Sequence, residues 1–356
     1  MTDEGISFEH VVIDPDGPGD PHIKVVGDIN GDGRAEIVVA SSSGGPVVWY
    51  AWPEFTPHVI APAGRWSTDA ALADMNGNGR GDLVISEWYT HGRIEWYEDP
   101  APGGDPAGPW KRHVIGEGRA HDIRAIDIDG DGQVELVTRS QGPEGDRVTI
   151  WKRQAAAGWV RRQLPCPAGE GLDVGDLAGN GRGDAIIGGR WYEAPADVLR
   201  GDWAEHVFAD WPADAVVRAA DLTGNGRPAV VMTRSEGPWR LSWFAPAGDP
   251  RAGDWIEHVV DDSVDFAHSL LVADLGGDGQ GDIATAEMHQ SQRRRVMVYL
   301  NGGGARSWRR RVLAETGSHN LCAGDVDGDG RIEIVGANWS GDYQPVEMWK
   351  PAAPVT

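Results

Sequence analysis

Short apolar runs alternate with glycine- and aspartate-rich turns along the whole chain. In each unit a run such as 23–26 precedes an acidic turn, and a second run follows that turn. A third run ends in an aromatic residue, at Trp49, Trp96, Trp151, Trp191, Trp243, Tyr299 and Trp349. A fourth run, where present, reads like WKRHVI at 110–115. Apolar residues do not recur at helical spacing over any useful length. These runs therefore predict four short β-strands per unit.

The unit recurs seven times. Its acidic turn begins at Asp28, Asp74, Asp127, Asp176, Asp221, Asp274 and Asp325. This period of about 50 residues is typical of propeller blades. The last unit lacks a fourth run, and FEHVVI at 8–13 matches that pattern. We therefore predict an all-β fold, a single seven-bladed β-propeller domain over residues 1–356. Its blades are four-stranded, and the N-terminal strand closes the last blade, which removes an open sheet edge.

Charge and hydropathy limit the partners of the protein. The formal net charge of −23 repels duplex nucleic acid and anionic membrane surfaces, and no run of 18 apolar residues is present to span a bilayer. The start, MTDEGISFEH, lacks the apolar segment of a signal peptide. We expect a cytoplasmic protein with a small-molecule ligand and neither a nucleic-acid nor a membrane partner. An export signal removed beforehand would leave no trace, and the protein would then be secreted.

The acidic turns follow the pattern D-x-[DN]-G-[DN]-G-x-x-[DE], which brings side-chain oxygens around a tight glycine-containing loop. Ca²⁺ takes six to eight oxygen ligands, so we predict structural calcium in the turns that keep every ligand position. These are Asp28/Asn30/Asp32/Glu36, Asp74/Asn76/Asn78/Asp82, Asp127/Asp129/Asp131/Glu135 and Asp325/Asp327/Asp329/Glu333. Three turns have lost a ligand, because Ala178, Gly276 and Ala229 replace it. The alternative is that Asp and Asn cap these turns without an ion.

The turns resemble the FG-GAP/VCBS repeat, and this resemblance covers essentially the whole chain. The segments HSLLVADLGGDGQGDIATAEMH at 268–289 and GSHNLCAGDVDGDGRIEIVGANW at 317–339 are similar to the propellers of aldos-2-ulose dehydratases and rhamnose–glucuronate lyases. The first resemblance implies the propeller fold, and the second implies a sugar substrate. Because such repeats also occur in adhesins and lectins, the fold alone does not define the function.

Five of the eleven histidines lie in fourth strands, at His10, His58, His113, His206 and His258. Gln163 and Arg311 are placed in the same register in the other two blades. Since this position recurs with the repeat, we interpret it as structural.

Four other histidines stand six residues before the first Asp of a turn, at His22, His121, His268 and His319. Thr68, Glu170 and Ala215 are their equivalents in other blades. This position begins the innermost strand, so the four should surround the central axis on the face opposite the acidic turns. Clustered histidines suit proton transfer or metal binding, and we predict that they are catalytic. The three on consecutive blades six, seven and one, His268, His319 and His22, are the predicted ligands of a second, transition-metal site. The alternative is that each bonds only a neighbouring blade.

The loops that follow the second strands should reach the same face. The predicted substrate-binding residues there are Glu87, Trp88, His91, Arg139, Arg190, Arg234, His289, Asn338 and Trp339. An arginine guanidinium can bind a carboxylate through two parallel hydrogen bonds. Aromatic rings offer an apolar surface to sugars. Salt bridges between blades are the alternative role for Arg139 and Arg234. Tyr89, Glu287 and Tyr343 are the candidate proton donors.

These residues predict a carbohydrate-active lyase or dehydratase that acts by elimination on a sugar or uronate glycoside at this face. Two alternatives stay open. One is a metal-dependent hydrolase or isomerase, since three histidines leave an open position on Zn²⁺ or another transition metal. The other is a non-enzymatic carbohydrate-binding or interaction propeller.

Overall fold

The computed structural model describes residues 6–100 and 105–352. Within them the chain forms seven four-stranded antiparallel sheets, and the helical segments are two 3₁₀ turns, Gly142–Gly145 and Pro250–Ala252. The inner strands of neighbouring sheets pack against one another, which arranges the sheets around a central axis. The predicted all-β, seven-bladed propeller is confirmed.

The first three blades follow the predicted repeat. The chain begins with β1 (Phe8–Asp14), which belongs to the last blade. Blade one contains β2 (Pro21–Gly27), β3 (Glu36–Ser41), β4 (Val47–Tyr50) and β5 (His58–Ala61). Blade two contains β6 (Trp66–Ala73), β7 (Asp82–Glu87), β8 (Arg93–Glu98) and β9 (Lys111–Glu117). Blade three contains β10 (Asp122–Ile126), β11 (Glu135–Arg139), β12 (Arg147–Gln154) and β13 (Gly158–Pro165).

The remaining blades have the same order of strands. Blade four contains β14 (Asp173–Gly175), β15 (Asp184–Ile187), β16 (Arg190–Glu193) and β17 (Ala204–Val207). Blade five contains β18 (Ala215–Ala220), β19 (Ala229–Arg234), β20 (Pro238–Pro246) and β21 (Trp255–Asp265). Blade six contains β22 (Ser269–Ala273), β23 (Asp282–Ala286), β24 (Val296–Asn301) and β25 (Trp308–Ala314). Blade seven contains β26 (His319–Gly324), β27 (Glu333–Ala337), β28 (Val346–Pro351) and β1.

Closure of the ring uses the N-terminal strand, as predicted. β1 pairs antiparallel with β28, and His10 stands opposite Trp349. The two ends of the described chain therefore meet in one sheet, whose strand order is β1-β28-β27-β26.

The core lies between adjacent blades. Second strands such as β3 and β7 are buried along their whole length, because neighbouring blades cover both faces. One apolar cluster joins Ile23 and Trp49 of blade one to Trp66 and Leu83 of blade two, so each blade depends on its neighbour for burial. Among the described residues no helix is long and apolar enough to cross a membrane.

The outer histidines pack on the aromatic residues of the third strands. Ring centroids are 4.3 Å apart for His58–Trp49, 4.1 Å for His113–Trp96, 4.2 Å for His206–Trp191, 3.9 Å for His258–Trp243 and 5.8 Å for His10–Trp349. In the other two blades the residues opposite the aromatic are Arg161 and Arg310. The expectation of Gln163 and Arg311 in this register was wrong, because hairpin length and local bulges set the pairing of antiparallel strands.

Candidate functional site

Four buried histidine side chains form one cluster at the axis of the propeller. His22 lies in β2 and His319 begins β26, while His121 and His268 immediately precede β10 and β22. The ring of His319 lies between those of His22 and His268, at centroid distances of 4.7 and 4.4 Å, and His121 contacts His268 at 5.2 Å. Inner strands run from these positions to the acidic turns, so the histidine cluster lies at the opposite end. All four are at most 6% exposed.

Glu170 joins this cluster from blade four, where it precedes β14. Its Oε2 lies 3.7 Å from His121 Nε2, and its Oε1 lies 3.6 Å from His268 Nε2. The Ser235 hydroxyl donates a hydrogen bond to the same carboxylate. Glu170 stands at the same position of the repeat as the four histidines, but a role was predicted only for the histidines. The signal that identifies Glu170 is therefore its position six residues before Asp176, whatever its residue type.

The histidines of the cluster differ in protonation. Burial disfavours the charged form of His121, but the Asp122 and Glu170 carboxylates outweigh it and raise the pKa of His121 to about 9. Burial, together with the charges of Lys24 and neighbouring histidines, holds the pKa values of His22 and His319 well below the usual value. At neutral pH the cluster therefore contains one charged imidazole that faces a carboxylate, and at least two neutral imidazoles that are able to accept protons.

A cavity of about 210 Å³ adjoins the cluster along the axis. Besides His121 and His268 it is lined by polar side chains, including Lys24, Asp69 and Asn320. The Lys24 ammonium is buried and donates to three main-chain carbonyl oxygens, at 2.8, 3.2 and 3.2 Å. Burial lowers the pKa of Lys24 to about 7. The cavity is therefore polar and large enough for a small ligand or for several water molecules.

The donor set at the cluster fits a transition metal. One ligand atom from each of His121, Glu170 and His268 lies within 4.8 Å of the others. Buried Nδ1 atoms of His22, His268 and His319 have no hydrogen-bond partner. Two imidazoles and a carboxylate form a ligand set that Zn²⁺ accepts. The geometry thus favours His121, Glu170 and His268 as the metal-binding group, instead of the predicted His22, His268 and His319.

Trp339 packs against the histidine cluster. Its ring centroid lies 4.9 Å from that of His22, 6.2 Å from His319 and 5.6 Å from His289. Trp339 and His289 are partly exposed, so they offer aromatic surface to a ligand that approaches the histidines. Both are placed where the sequence predicted.

Glu236 follows Ser235 and is exposed as a residue, although its carboxyl group is partly surrounded by protein. Partial burial of its carboxyl group, with the charges of Glu170 and Asp214, raises the pKa of Glu236 to about 7. His121 and Arg234 act in the opposite direction. A carboxyl group with this pKa is protonated in part at neutral pH and can donate a proton. Sequence analysis did not select Glu236, because only the fold brings blade five close to Glu170.

Arg139 does not present a free guanidinium to a substrate. It is 3% exposed, and it donates to the carbonyl oxygens of Gly145, Pro167, Glu170 and Gly171 at 2.7–3.2 Å. Since these bonds occupy its donors, we withdraw the predicted role in substrate binding. Arg139 instead fixes the segment that carries Glu170.

Arg190 and Arg234 are also engaged. Arg190 forms an ion pair with Glu205 of the outer strand β17 at 2.7 Å, and Arg234 forms one with Asp214 at 2.8 Å. The repeat predicted where the backbones of these two arginines lie, but it did not predict the direction of their side chains. The predicted arc of three carboxylate-binding arginines is therefore not present.

Two glutamates that were predicted at this face stabilise its loops. Glu87 accepts hydrogen bonds from the amides of Thr90 and His91 at 3.1 and 2.7 Å. Glu287 is fully buried and forms an ion pair with Arg295 at 2.5 Å. A carboxylate paired in this way is not a proton donor, so the predicted catalytic role of Glu287 is corrected.

Tyr343 and Asn338 are directed away from the cluster. The Tyr343 hydroxyl donates to Glu347 at 2.9 Å, and Glu347 also binds His10 of the outermost strand at 2.7 Å. The Asn338 side-chain amide donates to three main-chain carbonyl oxygens. We therefore assign both residues to loop structure instead of catalysis or substrate binding.

Trp88, Tyr89 and His91 lie on one loop of blade two. Tyr89 and His91 are exposed, and Trp88 is partly exposed. The Arg65 guanidinium lies 4.7 Å from the centroid of the Tyr89 ring, an arrangement typical of a cation–π contact. These residues form an aromatic surface, and within the part of the chain that the structure describes no ring contact links it to the histidine cluster.

The acidic turns on the opposite face share one capping arrangement. In each turn the glycine amide five residues after the first Asp donates to that Asp carboxylate, at 2.6–3.0 Å. The three turns that lack a ligand position do so as well. Capping by aspartate therefore accounts for the conformation of these turns with or without an ion.

Two of the predicted calcium ligands, Asp32 of blade one and Asn78 of blade two, also act as caps. The exposed Asp32 side chain accepts a hydrogen bond on Oδ1 from the Arg34 amide at 2.8 Å, and its Oδ2 faces the Asn30 amide nitrogen at 3.3 Å. The single side-chain oxygen of Asn78 accepts from the Arg80 amide at 2.8 Å. The equivalent residues of other turns accept the same bond, for example Asp131 from the Gln133 amide and Asp329 from the Arg331 amide. This bond therefore belongs to the turn itself, and the role of Asp32 and Asn78 as ligands stays a prediction.

The arrangement in blade one differs from the predicted calcium loop in one respect. Asn30 directs its amide nitrogen, a donor, toward Glu36 Oε1 at 2.6 Å. Among the described residues, Asp28, Asp32 and Glu36 are not brought together as a group of three acidic ligands, whereas acidic residues of blades three and seven are. The ligand pattern treats Asn and Asp alike, whereas the third position is Asn30 in blade one, Asp129 in blade three and Asp327 in blade seven.

The turns that keep every ligand position nevertheless contain features that fit a cation. Burial raises the pKa of Glu36 to about 7 and that of Asp82 to about 6, and a bound cation would relieve this cost. Side-chain oxygens converge in blades three and seven, at Asp127/Asp129/Glu135 and at Asp325/Asp327/Asp329. Hard carboxylate oxygens are ligands that Ca²⁺ prefers. Calcium in these turns remains a prediction.

Comparisons with known proteins agree with the fold. The FG-GAP-like repeat family matches residues 28–85. Aldos-2-ulose dehydratase of Phanerodontia chrysosporium is 26% identical over 138 residues, which cover 33% of this chain and 15% of that protein. The chain thus spans a small part of the length of this curated relative.

Two solved structures are also similar. An Agrocybe aegerita lectin that recognises non-reducing terminal N-acetylglucosamine has a TM-score of 0.55 at 19% identity, over 87% of this chain and 81% of the lectin. The rhamnogalacturonan lyase PL11 of Bacillus licheniformis has a TM-score of 0.46 at 14% identity, over 98% and 73% of the two chains. At 19% identity the likeness to the lectin concerns the fold alone.

Proposed function

We propose that the protein is a carbohydrate-active carbon–oxygen lyase or dehydratase that acts by elimination at the histidine cluster. The observation that carries this proposal is the approach of His121, Glu170 and His268 within 4.8 Å of one another, beside two further histidines and a polar cavity. The carbohydrate-related relatives support a sugar as the substrate class.

Elimination needs a base for the proton next to a carbonyl or carboxylate group, stabilisation of the enolate-like species, and a proton for the leaving oxygen. His22 and His319 are the candidate bases, because their lowered pKa values keep them neutral. Glu236 is the candidate acid, since its raised pKa leaves it protonated in part. Trp339 lies against the two bases and would hold the apolar face of a sugar ring.

His121, Glu170 and His268 are the residues that would hold a transition metal. Such an ion supplies Lewis-acid polarisation of an oxygen on the substrate. Because His121 is charged without the metal, its proton must leave before its nitrogen can act as a ligand. A metal-dependent hydrolase or isomerase would use the same group, and this remains the alternative among enzymes.

Sugar binding without turnover is the second candidate function. The observation in its favour is a groove of about 550 Å³ between blades one and two. It is lined by Trp66, Tyr97 and Trp110, together with Glu95 and Arg112. The three rings are at most 6% exposed, so a sugar in this groove would contact mainly exposed polar groups such as His91 and Arg112. The groove is separate from the histidine cluster.

Metal content and turnover test the proposal together. Wild type, His268→Ala and Glu170→Gln are dialysed against a weak chelator and analysed by mass spectrometry, with His258→Ala as the matched control on an outer strand. We expect a transition metal in wild type and in the control. In the two site variants we expect a loss of affinity at least as large as the roughly 10–100-fold cost of removing an outer-shell partner.

The same proteins are then incubated with carbonyl sugars and uronate glycosides, and unsaturated products are followed by NMR and ultraviolet absorbance. Product in wild type and in the control, with none in the site variants, supports an eliminase at this cluster. Hydrolysed or isomerised sugar that depends on the same residues favours the alternative enzyme. Sugar binding without any product favours the binding propeller and contradicts the proposed enzyme.

A further inference from the structure

Lysine side chains enter two of the four acidic turns that keep every ligand position. The Lys152 ammonium lies 2.7 Å from Asp129 Oδ2, 2.7 Å from Asp131 Oδ2 and 2.9 Å from Glu135 Oε1. An ammonium group has three hydrogen atoms to donate, and three carboxylates surround this one. The Lys152 side chain is 15% exposed, so these contacts are screened only in part.

Blade seven repeats this arrangement. The Lys350 ammonium contacts Asp327, and it lies 3.5 Å from Asp329. Lys152 and Lys350 each follow the aromatic residue of a third strand, Trp151 and Trp349. They therefore occupy one register of the repeat and reach the turn of their own blade in the same way.

The sequence contains a matching pattern that does not depend on side-chain positions. The third position of the turn is Asp only in blades three and seven, at Asp129 and Asp327. Only in these blades is the residue after the third-strand aromatic a lysine. In blades one and two the corresponding pairs are Asn30 with Tyr50, and Asn76 with Tyr97. A further carboxylate thus accompanies each lysine, as charge compensation requires.

Lysine is rare in this chain, so its presence at this position of the repeat is specific. The chain has 28 arginines and four lysines, and two of those four occupy this register. Lysine carries a compact charge on a flexible stem, whereas arginine presents a wide planar fork. A compact cation can stand among several carboxylates and donate to each of them.

A divalent ion and the lysine compete for the same oxygens. In blade three, two of the three residues that converge are Asp129 and Glu135, and Lys152 binds both. In blade seven, two of the three are Asp327 and Asp329, and Lys350 contacts both. Calcium would lie 2.3–2.6 Å from these oxygens, where the ammonium already stands, and two cations would repel each other there.

Calcium would satisfy buried oxygens of Asp325 and Glu333 that have no hydrogen-bond partner. It would first have to displace an ammonium that is part of the chain and whose effective concentration is therefore high. We infer that Lys152 and Lys350 are the resident cations of the acidic turns in blades three and seven. These two turns are then independent of calcium, and the predicted calcium sites reduce to the turns of blades one and two.

Calcium stoichiometry tests this inference. The single variants Lys152→Met and Lys350→Met remove the charge and keep the length of the side chain. Lys111→Met is the matched control, since this lysine is exposed on an outer strand and pairs with Glu98 at 3.5 Å. Bound calcium is counted by equilibrium dialysis, and the melting temperature is measured in chelator and in millimolar calcium.

We expect each of the two turn variants to gain one bound calcium over wild type. Each should melt below wild type in chelator and recover in calcium, whereas the control changes in neither respect. An unchanged stoichiometry together with an unchanged melting temperature in chelator would overturn the inference.

A second pair of variants keeps the test decisive if the first do not fold. Asp129→Asn and Asp327→Asn retain the lysines but remove one of their partners. If the lysines are the resident cations, these variants bind as much calcium as wild type and melt lower by the same amount with and without calcium. Loss of one bound calcium from either variant would show that the ion occupies that turn in wild type, and would contradict the inference.

Discussion

The Arg139 guanidinium donates hydrogen bonds to the carbonyl oxygens of Glu170 and Gly171, at 2.7 and 2.8 Å. A buried arginine of blade three thus sets the backbone position of the carboxylate that faces His121 and His268. Arg139 is a positioning residue, because it reaches the site only through the segment that it holds.

Arg139→Met is expected to lower the metal affinity proposed for the cluster by roughly 10–100-fold, the usual effect of losing an outer-shell support. It also leaves buried carbonyl oxygens without donors, which destabilises the fold. Metal affinity is measured by chelator competition on protein that circular dichroism shows to be folded. Arg190→Met is the control, since that arginine pairs with Glu205 near the surface. Equal affinities for Arg139→Met and wild type would exclude the positioning role.

Trp339 is expected to contribute to substrate binding more than to turnover. Its ring lies 4.9 Å from that of His22 and is partly exposed, so Trp339→Ala removes stacking surface without removing an acid or a base. A stacked aromatic contributes about 0.5–1.5 kcal/mol, which predicts a rise in KM of roughly 2–10-fold with kcat nearly unchanged. Trp339→Phe should retain most of the affinity. A fall in kcat at constant KM would place Trp339 among the groups that act in the reaction step.

The outer histidines are expected to stabilise the blades without affecting the site. His258 stacks on Trp243 with centroids 3.9 Å apart and planes at 10°. His258→Ala should reduce the free energy of unfolding by about 0.5–1.5 kcal/mol, as measured in urea. Val259→Ala, an exposed change on the same strand, is the control and should cost less. Loss of bound metal from His258→Ala would contradict a purely structural role.

Stability is expected to depend on the protonation of Asp184, a carboxylate of a turn that lacks a calcium ligand position. Burial raises its pKa to about 6, above the value of about 3.9 expected in the unfolded chain. Between these pH values Asp184 binds more protons in the folded protein than in the unfolded chain, so its contribution to the free energy of unfolding rises as the pH falls from 7 toward 4. In Asp184→Asn this contribution is absent.

Urea midpoints of wild type and Asp184→Asn, measured from pH 7 to pH 4, isolate the effect of this group. The difference in free energy of unfolding should shift in favour of wild type by up to about 2–3 kcal/mol as the pH falls. Asp282→Asn in blade six provides a repeat of the test, because its pKa is also raised to about 6 by burial. Parallel pH profiles for the variants and wild type would contradict the raised pKa values.

The fold was predictable because the same unit occurs seven times in the sequence. The number of units predicted the number of blades, and the unmatched run at residues 8–13 predicted how the ring closes. The repeat register also placed His22, His121, His268 and His319 at one end of the axis, since equivalent positions in a propeller lie at equal depth.

The contents of the site were less predictable, because register locates a backbone position but not the direction of a long side chain. Arg139 and Arg234 begin at the predicted face, yet carbonyl oxygens and Asp214 bind their guanidinium groups. Glu170 has the right register but a different residue type from the histidines. Lys152 was missed because its strand is separated in sequence from the turn that it enters.

The acidic turns show the same limit for short side chains. Asp32, Asn78 and Asp329 all bond the backbone amide two residues further on, so the pattern of residue types predicts this cap. An oxygen that caps a turn can also bind an ion, and residue type alone does not show whether it does.

Ring closure has a consequence for the synthesis of the protein. β1 begins at Phe8, and its partner β28 begins at Val346. A chain that grows by roughly 5–20 residues per second therefore holds its first strand unpaired for on the order of tens of seconds. Until the final strand emerges, the partly built propeller has two open sheet edges, which other chains could extend. Chains that stop before β28 and chains that include it should thus differ sharply in their tendency to aggregate, and this single strand would protect the blades made before it.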